Sequence, residues 1–348
     1  MIEAKKNTIG IRADGNDEVG MGHLMRCMSI AQALQKQKVK CVFFTADKVA
    51  GSFLEERGFA CRVLDTHYRE MEEELPVFIK LLEEENCRFV LTDSYYITQK
   101  YLDELRKHSP VFYLDDMGVS RLQADGIINY NIYAQNLNYE TWCDSNMKLI
   151  LGAYYAPVKE PFSRMGYAVR EWADKILITM GGSDSLNIAG KLGECLLQSI
   201  PEHMEIDIIC GRFNPHLSIL KEMEEKDPRV HVYVDVPDMW NRMAQADIAV
   251  SAAGSTMYEL STMGVPSICC YYVENQRQIA EGFAEKVQMV NAGDFSADEK
   301  AVLGKITEAV CVLAEDIKAR KALSERMQKV TDGCGADHIA EVLKEMIV

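Results

Sequence analysis

Three stretches of the chain place small residues, hydroxyls and one titratable side chain where an apolar run meets a helical pattern. The first is Arg12-Ala13-Asp14-Gly15-Asn16-Asp17-Glu18-Val19-Gly20-Met21-Gly22-His23-Leu24-Met25-Arg26-Cys27. Gly20 and Gly22 let a ligand approach the backbone closely, and the following helix start offers free N–H groups to an anion. His23 falls in that helix's first turn, where the positive helix end favours neutral imidazole. Such a ring can take a proton near neutral pH. A plain glycine-rich turn would have the same spacing; the placement of His23 points instead to general-base chemistry.

The second stretch is Thr179-Met180-Gly181-Gly182-Ser183-Asp184. It reads as a phosphate-binding set of N–H groups or as a tight turn. The third runs from Asp247 through Gly254-Ser255-Thr256 to Glu259, and is followed by Gly264-Val265-Pro266 and Glu274-Asn275-Gln276. Gly254, Ser255 and Thr256 suit a phosphate. Glu259 lies one turn into the helix, where a carboxylate can accept both hydroxyls of a ribose; the alternative is a solvated helix glutamate. Asp93-Ser94-Tyr95 and Asp115-Asp116 each end an apolar run. The paired aspartates fit metal ligation, base catalysis, or turn and cap roles. No Asp-x-Asp triplet offers a ligand set for a diphosphate-bound metal, so no metal is expected.

These residues need elements to hold them. Strands are expected at 9–13, 41–45, 61–64, 89–93 and 111–115, with helices at 24–37, 50–57, 71–85 and 100–107 between them. Gly58 reads as the stop of the second helix. The strands are apolar throughout rather than alternating, which implies a parallel sheet covered on both faces. Residues 152–170, with Pro157 and Pro161, read as a connection. A second series follows: strands at 175–180, 206–210, 230–234, 248–251 and 267–270, a helix at 188–199, and a last helix at 336–346. The expectation is α/β with two Rossmann-like parallel-sheet domains facing across a cleft. The boundaries are 1–155 and 156–348, and the helix near 334–346 packs back on the first domain. In open sheets of this kind the ligand sits at the carboxyl ends of the strands.

A chain of 348 residues accommodates two such domains. The formal net charge of −15 argues against nonspecific binding to nucleic acid or an anionic membrane, although a local pocket can oppose it. The eleven cysteines contain no Cys-x-x-Cys pair, so structural zinc is not expected. Their odd number suits a reducing cytoplasm. Residues 1–8 show no apolar stretch after the lysines, and no long apolar run occurs, so neither a signal peptide nor a membrane span is expected.

Taken together, the motifs resemble nucleotide-sugar enzymes of the GT-B architecture. The segment from Ser251 to Glu259 is similar to the UDP-binding half of the transferase that adds N-acetylglucosamine in peptidoglycan synthesis. A narrower resemblance rests on R-x-D…G-x-G-H-x-x-R-C at residues 12–27, D-x-Y at 93–95 and L-D-D at 114–116. It continues through G-G-S-D at 181–184, G-S-T-x-x-E at 254–259, Asn275-Gln276 and Asp332-Gly333-x-Gly335. These resemble the UDP-2,4-diacetamido-2,4,6-trideoxy-β-L-altropyranose hydrolases of pseudaminic acid biosynthesis, whose relatives act in spore-coat polysaccharide synthesis. Ser94 stands where some members carry His.

The resemblance implies a monomeric enzyme without cofactor whose partner is a small-molecule UDP-sugar. Glu259 would bind the ribose, and Gly182, Ser183, Gly254, Ser255 and Thr256 the diphosphate. The uracil would lie along the backbone near 234–239. Asn275, Gln276 and Tyr95 would lie near the sugar, and Arg12, Gly20 and Gly22 are counted with the substrate-binding set. His23 maps onto the catalytic base, with Asp14 and Tyr95 in the catalytic set and Arg12 and Asp14 positioning the loop. Water would attack the anomeric carbon with inversion, and the sugar would pass to flagellar, capsular or spore-coat glycan. An inverting transferase of the same architecture and a noncatalytic UDP-sugar-binding protein are the alternatives. The acidic pattern at 71–85 argues mildly against a membrane-borne acceptor.

Overall fold

The computed structural model describes residues 8–16, 18–118, 121–212 and 214–346. The chain divides into two compact units, Met1–Val158 with Cys334–Val348, and Lys159–Gly333.

The first unit is built on a seven-stranded sheet. Its strands are β1 (Thr8–Ala13), β2 (Lys40–Thr45), β3 (Ala60–Val63), β4 (Cys87–Asp93), β5 (Val111–Leu114), β6 (Gly126–Asn129) and β7 (Lys148–Leu151). The helices are α1 (Gly22–Lys36), α2 (Lys48–Glu55), α3 (Met71–Glu84) and α4 (Gln99–Arg106). The strand order is β3-β2-β1-β4-β5-β6-β7, and every pairing is parallel. β1 is buried along its whole length because helices cover both faces of the sheet. On one face Phe44, Phe78, Leu82, Val90, Tyr101 and Leu105 pack into a single core cluster. Asp47 caps α2 by accepting hydrogen bonds from the N–H groups of Val49 and Ala50, and Thr98 caps α4 through the Tyr101 N–H. Gly58 ends α2 at φ +81°, the left-handed conformation expected of it.

The second unit contains β8 (Lys175–Thr179), β9 (Glu205–Cys210), β10 (Val230–Val234), β11 (Ile248–Ala252), β12 (Ser267–Tyr271) and β13 (Asn291–Asp294). Its helices are α5 (Glu160–Arg164), α6 (Ile188–Leu197), α7 (Leu217–Lys226), α8 (Met239–Gln245), α9 (Thr256–Met263), α10 (Glu274–Val287), α11 (Glu299–Glu315) and α12 (Ile317–Met327). The order β10-β9-β8-β11-β12-β13 repeats that of the first unit, again all parallel. Arg320 is buried without a carboxylate. It donates instead to the carbonyls of Leu313, Ala314, Arg170 and Glu171, which ties the C-terminal end of α11 to the start of the unit. The last helix, α13 (Gly335–Glu345), belongs to the first unit and packs on α1.

Three strands, β6, β7 and β13, are absent from the sequence-based expectation. Each has four residues, and β13 (Asn291-Ala292-Gly293-Asp294) has no apolar run at all; it is a strand only through pairing with β12. In both sheets the strand order reverses beside the first strand, between β1 and β4 and between β8 and β11. These switch points are where an open α/β sheet leaves room for a ligand at its carboxyl edge.

Candidate functional site

At the first unit's switch point the loop after β1 is held by its own polar side chains. Asn16 Oδ1 accepts the N–H groups of Glu18 (2.9 Å) and Val19 (3.0 Å), and the Gly20 N–H returns to the Asn16 carbonyl (2.8 Å). Gly20 closes this turn at φ +74°, a conformation costly for a side-chain-bearing residue. Gly22 is different. Its backbone is ordinary and no protein atom lies within 4 Å of where a Cβ would stand, so internal packing does not require glycine there. α1 then begins without a side-chain cap, leaving its first N–H groups without helix partners.

His23 sits in the first turn of α1, 4% exposed, and its Nε2 has no hydrogen-bond partner. A buried imidazole nitrogen without a partner is rare enough to require a reason. The ring lies edge-on to Tyr95, with centroids 4.4 Å apart. Burial holds the imidazole below its ordinary pKa. Asp93, Asp116 and Asp14 pull it upward and Arg26 pushes it down. Tyr95 is half exposed, and its hydroxyl donates to Asp116 Oδ2 at 3.4 Å.

Arg26, one helical turn beyond His23, organises the surrounding charge. Its Nε and Nη2 grip the two oxygens of Asp93 at 2.6 and 2.5 Å. Its Nη1 donates to Asp116 Oδ2 at 2.6 Å and to the Tyr130 hydroxyl at 3.0 Å. One guanidinium therefore joins the ends of β4, β5 and β6. Asp115 faces away from this group. It accepts from the Gly118 N–H (2.8 Å) and the Tyr139 hydroxyl (2.8 Å), a turn and packing role.

Arg12 does not reach a ligand surface. It is wholly buried, with Nε and Nη2 on the Glu74 carboxylate (2.8 Å each) and Nη1 on Asp14 (2.5 Å). The sequence counts Arg12 with the substrate-binding set; here all three guanidinium nitrogens bond to carboxylates inside the fold. Asp14 is also buried, and its second oxygen accepts the Ala46 N–H at 2.8 Å. Both residues brace the loop from beneath through these bonds.

At the second unit's switch point the side chains are small and the backbone is open. Gly181 takes φ +83°, and Gly182 and Ser183 are exposed. Asp184 turns inward and caps α6, accepting from the N–H groups of Ile188 (2.8 Å) and Ala189 (3.0 Å). Two contacts brace this loop. A Cβ on Gly211 would overlap the Gly182 carbonyl oxygen, so the loops after β8 and β9 touch backbone to backbone. The Tyr272 hydroxyl donates to the Met180 carbonyl at 3.0 Å. Across the switch point, Gly254 has open space around its Cα, Ser255 is exposed, and α9 starts at Thr256 without a side-chain cap.

Glu259 lies in the first turn of α9, partly buried and without a hydrogen-bond partner among the described residues. Burial pushes its carboxyl up to about 7, opposed only by Lys159. Asn275 is exposed at the start of α10. Gln276 turns back, its Oε1 accepting the Tyr272 N–H at 3.2 Å, so it supports the loop after β12. Among the described residues, no group of three or more His, Cys, Asp or Glu side chains is arranged to hold a metal ion, and no helix is long and apolar enough to cross a membrane. All eleven cysteines are free thiols.

The fold therefore assembles His23 and Tyr95 in the first unit. In the second it assembles the 181–183 and 254–256 backbones with Glu259. Arg26 and Gly211 were missed as site residues in the sequence. The signal for Arg26 was its spacing of three from His23; for Gly211 it was a glycine directly after a strand.

No family model matches the chain. It is 24% identical to the spore coat polysaccharide biosynthesis protein SpsG of Bacillus subtilis, over 97% of this chain and 98% of that one. It is also 24% identical to the UDP-2,4-diacetamido-2,4,6-trideoxy-beta-L-altropyranose hydrolase of Campylobacter jejuni, over 79% of this chain and 95% of the relative. Among solved structures, Acinetobacter baumannii MurG aligns with a TM-score of 0.69 at 14% identity, covering 97% of this chain and 99% of MurG. The glycotransferase of kitacinnamycin aligns at 0.68 and 15% identity, over 97% of this chain and 98% of that one. The fold is that of the GT-B enzymes.

Proposed function

We propose that the chain hydrolyses a UDP-sugar, cleaving the bond between the anomeric carbon and the β-phosphate oxygen with inversion. The substrate in this reading is UDP-2,4-diacetamido-2,4,6-trideoxy-β-L-altropyranose or a close relative, and the free sugar enters pseudaminic acid synthesis. The observation that carries the reading is the unpartnered Nε2 of buried His23 at the first unit's switch point. The 24% identity to the Campylobacter hydrolase, over 79% of this chain and 95% of the relative, supports it.

The nucleotide belongs to the second unit. The carboxylate of Glu259 accepts the two ribose hydroxyls. The N–H groups of residues 181–183 and of the α9 start take the diphosphate, and the uracil lies along 234–239. Charge that develops on the β-phosphate as UDP leaves is met by these preorganised dipoles. Gly182 and Gly254, which packing does not require to be glycine, let the phosphates approach the backbone.

In the first unit His23 accepts a proton from water at Nε2 while the water oxygen bonds to the anomeric carbon. The carbon–oxygen bond to the β-phosphate breaks, and UDP leaves with the electron pair. General-base assistance of this kind contributes about 10²–10⁴-fold in rate. A ring held below its ordinary pKa stays neutral, and so able to act as base, throughout the neutral range. Tyr95, edge-on to the imidazole, fixes its plane.

The test is anomer-resolved NMR of the UDP-sugar incubated with the wild type and with His23→Ala, with and without EDTA. The expected result is release of UDP and inverted free sugar by the wild type in both conditions, lost in the variant. Release only after an acceptor alcohol is added would replace hydrolysis by glycosyl transfer, the activity named for several structural neighbours. Tight binding without turnover would leave a binding protein.

A further inference from the structure

Arg26 is the only described cation hydrogen-bonded to Asp93 and Asp116, and it is bonded to both. The charge around His23 can be counted element by element. Asp93 comes from the end of β4, Asp116 follows β5, and Arg26 comes from α1. Tyr95 and Tyr130, from the loops after β4 and β6, are neutral phenols. Asp14, after β1, belongs to a separate buried group with Arg12 and Glu74, itself one guanidinium against two carboxylates, and adds a further upward pull on the ring. The cluster next to the imidazole thus carries two carboxylates and one guanidinium, a net charge of −1 while the ring is neutral. It becomes balanced when the ring takes a proton.

We infer that Arg26 is a positioning residue for His23: it locks Asp93 and Asp116 beside the ring so that one negative charge awaits the imidazolium formed when water is deprotonated. The inference rests on the role for His23 given above. Its geometric basis is the bidentate grip on Asp93 combined with the second bond to Asp116, whose same oxygen accepts from Tyr95, the ring that touches His23. Arg26 therefore acts on both the charge and the orientation of the imidazole without touching the substrate. Its five-donor planar fork explains why lysine would not substitute fully.

The electrostatic sign gives a signature that simple structural damage would not mimic. Asp116→Asn leaves the cluster neutral, so the imidazolium loses its counter-charge and His23 titrates lower. Arg26→Gln leaves two unopposed carboxylates, so His23 titrates higher. Arg26→Lys retains the charge but loses the fork; His23 titrates close to the wild type while kcat falls severalfold at unchanged KM.

The experiment is ¹⁵N-edited NMR titration of the histidines in the full chain, with the His23 signal assigned by its loss in His23→Gln. It is read beside the acid limb of kcat/KM on the UDP-sugar. Expected displacements are about one pH unit, downward for Asp116→Asn and upward for Arg26→Gln, in both measurements. Displacement in one common direction, or none, overturns the inference. The titration needs no turnover. If the wild type hydrolyses no UDP-sugar, the functional reading fails while the NMR result still decides whether Arg26 sets the charge at His23.

Discussion

The two units share a strand order and a switch point but use opposite materials at the carboxyl edge. In the first unit the edge is made of long charged side chains, Arg26, Asp93 and Asp116, bonded to one another around a single unsatisfied nitrogen on His23. In the second it is made of glycine and serine backbone, braced by Gly211 and Tyr272, with one unpartnered carboxylate on Glu259. Side chains are suited to move a proton, because their environment can tune a pKa. Open backbone N–H groups are suited to hold a phosphate, because they present fixed dipoles without a titratable group. On the proposed reading, the same fold places a proton acceptor on one set of loops and phosphate-binding backbone on the equivalent set.

That division should be separable by mutation. The largest effect is expected for His23→Ala, with kcat reduced about 10²–10⁴-fold while the Kd for UDP, measured by calorimetry, changes less than about twofold. A comparable loss of UDP affinity would merge the two roles. Next is Gly211→Ala in the second unit. Its Cβ would drive into the Gly182 carbonyl and displace the 181–183 loop, so UDP affinity should fall about tenfold or more, or ~1.4 kcal/mol. Turnover at saturating substrate should fall too, because the displaced N–H groups also meet the charge developing on the β-phosphate, but by less than in His23→Ala.

A smaller effect concerns pH. In the proposed role Glu259 would accept both ribose hydroxyls only when ionised, and burial pushes its carboxyl up to about 7. UDP affinity should therefore rise severalfold between pH 6 and 8, and the rise should flatten in Glu259→Gln.

The smallest effect is on stability. A carboxyl raised above its unfolded value contributes fully below the unfolded pKa, and the contribution is lost as pH rises toward about 7. At pH 8 the buried charge opposes folding. Glu259→Gln should then raise the apparent Tm of the second unit by about 2–4 °C at pH 8, for a gain on the order of 1 kcal/mol, and not at pH 4. No difference between the two pH values would mean that the carboxylate finds a partner in solution.

Much of this arrangement was legible because parallel strands buried on both faces read as unbroken apolar runs, as in Ile176-Leu177-Ile178. β13 was not legible, since Asn-Ala-Gly-Asp carries no such run and its register comes from its neighbour. His23 stood out because a glycine-flanked histidine at a helix start has few other uses. The carboxylate that Arg12 binds was not legible, although the arginine sits between Ile11 and Ala13 in a fully buried strand. Its partner, Glu74, lies 62 residues away on a helix that reads as a solvated acidic surface. Asp93 and Asp116 were visible singly as strand-end aspartates. That one arginine would hold both follows from the order of strands in space, which local pattern does not encode.

α13 has a consequence in time. It is part of the first unit and packs on α1, with Ile339, Ala340 and Leu343 buried, yet all of the second unit is translated before it. Gly335 seats its first turn against the backbone of Ala156, a contact that a Cβ would block. At about 5–20 residues per second, the stretch from Lys159 to Gly333 occupies the ribosome for roughly 9–35 s. Throughout that interval the surface of α1 that receives α13 stays uncovered while the rest of its unit is already made. The nascent chain must be kept from other apolar surfaces until its last helix arrives.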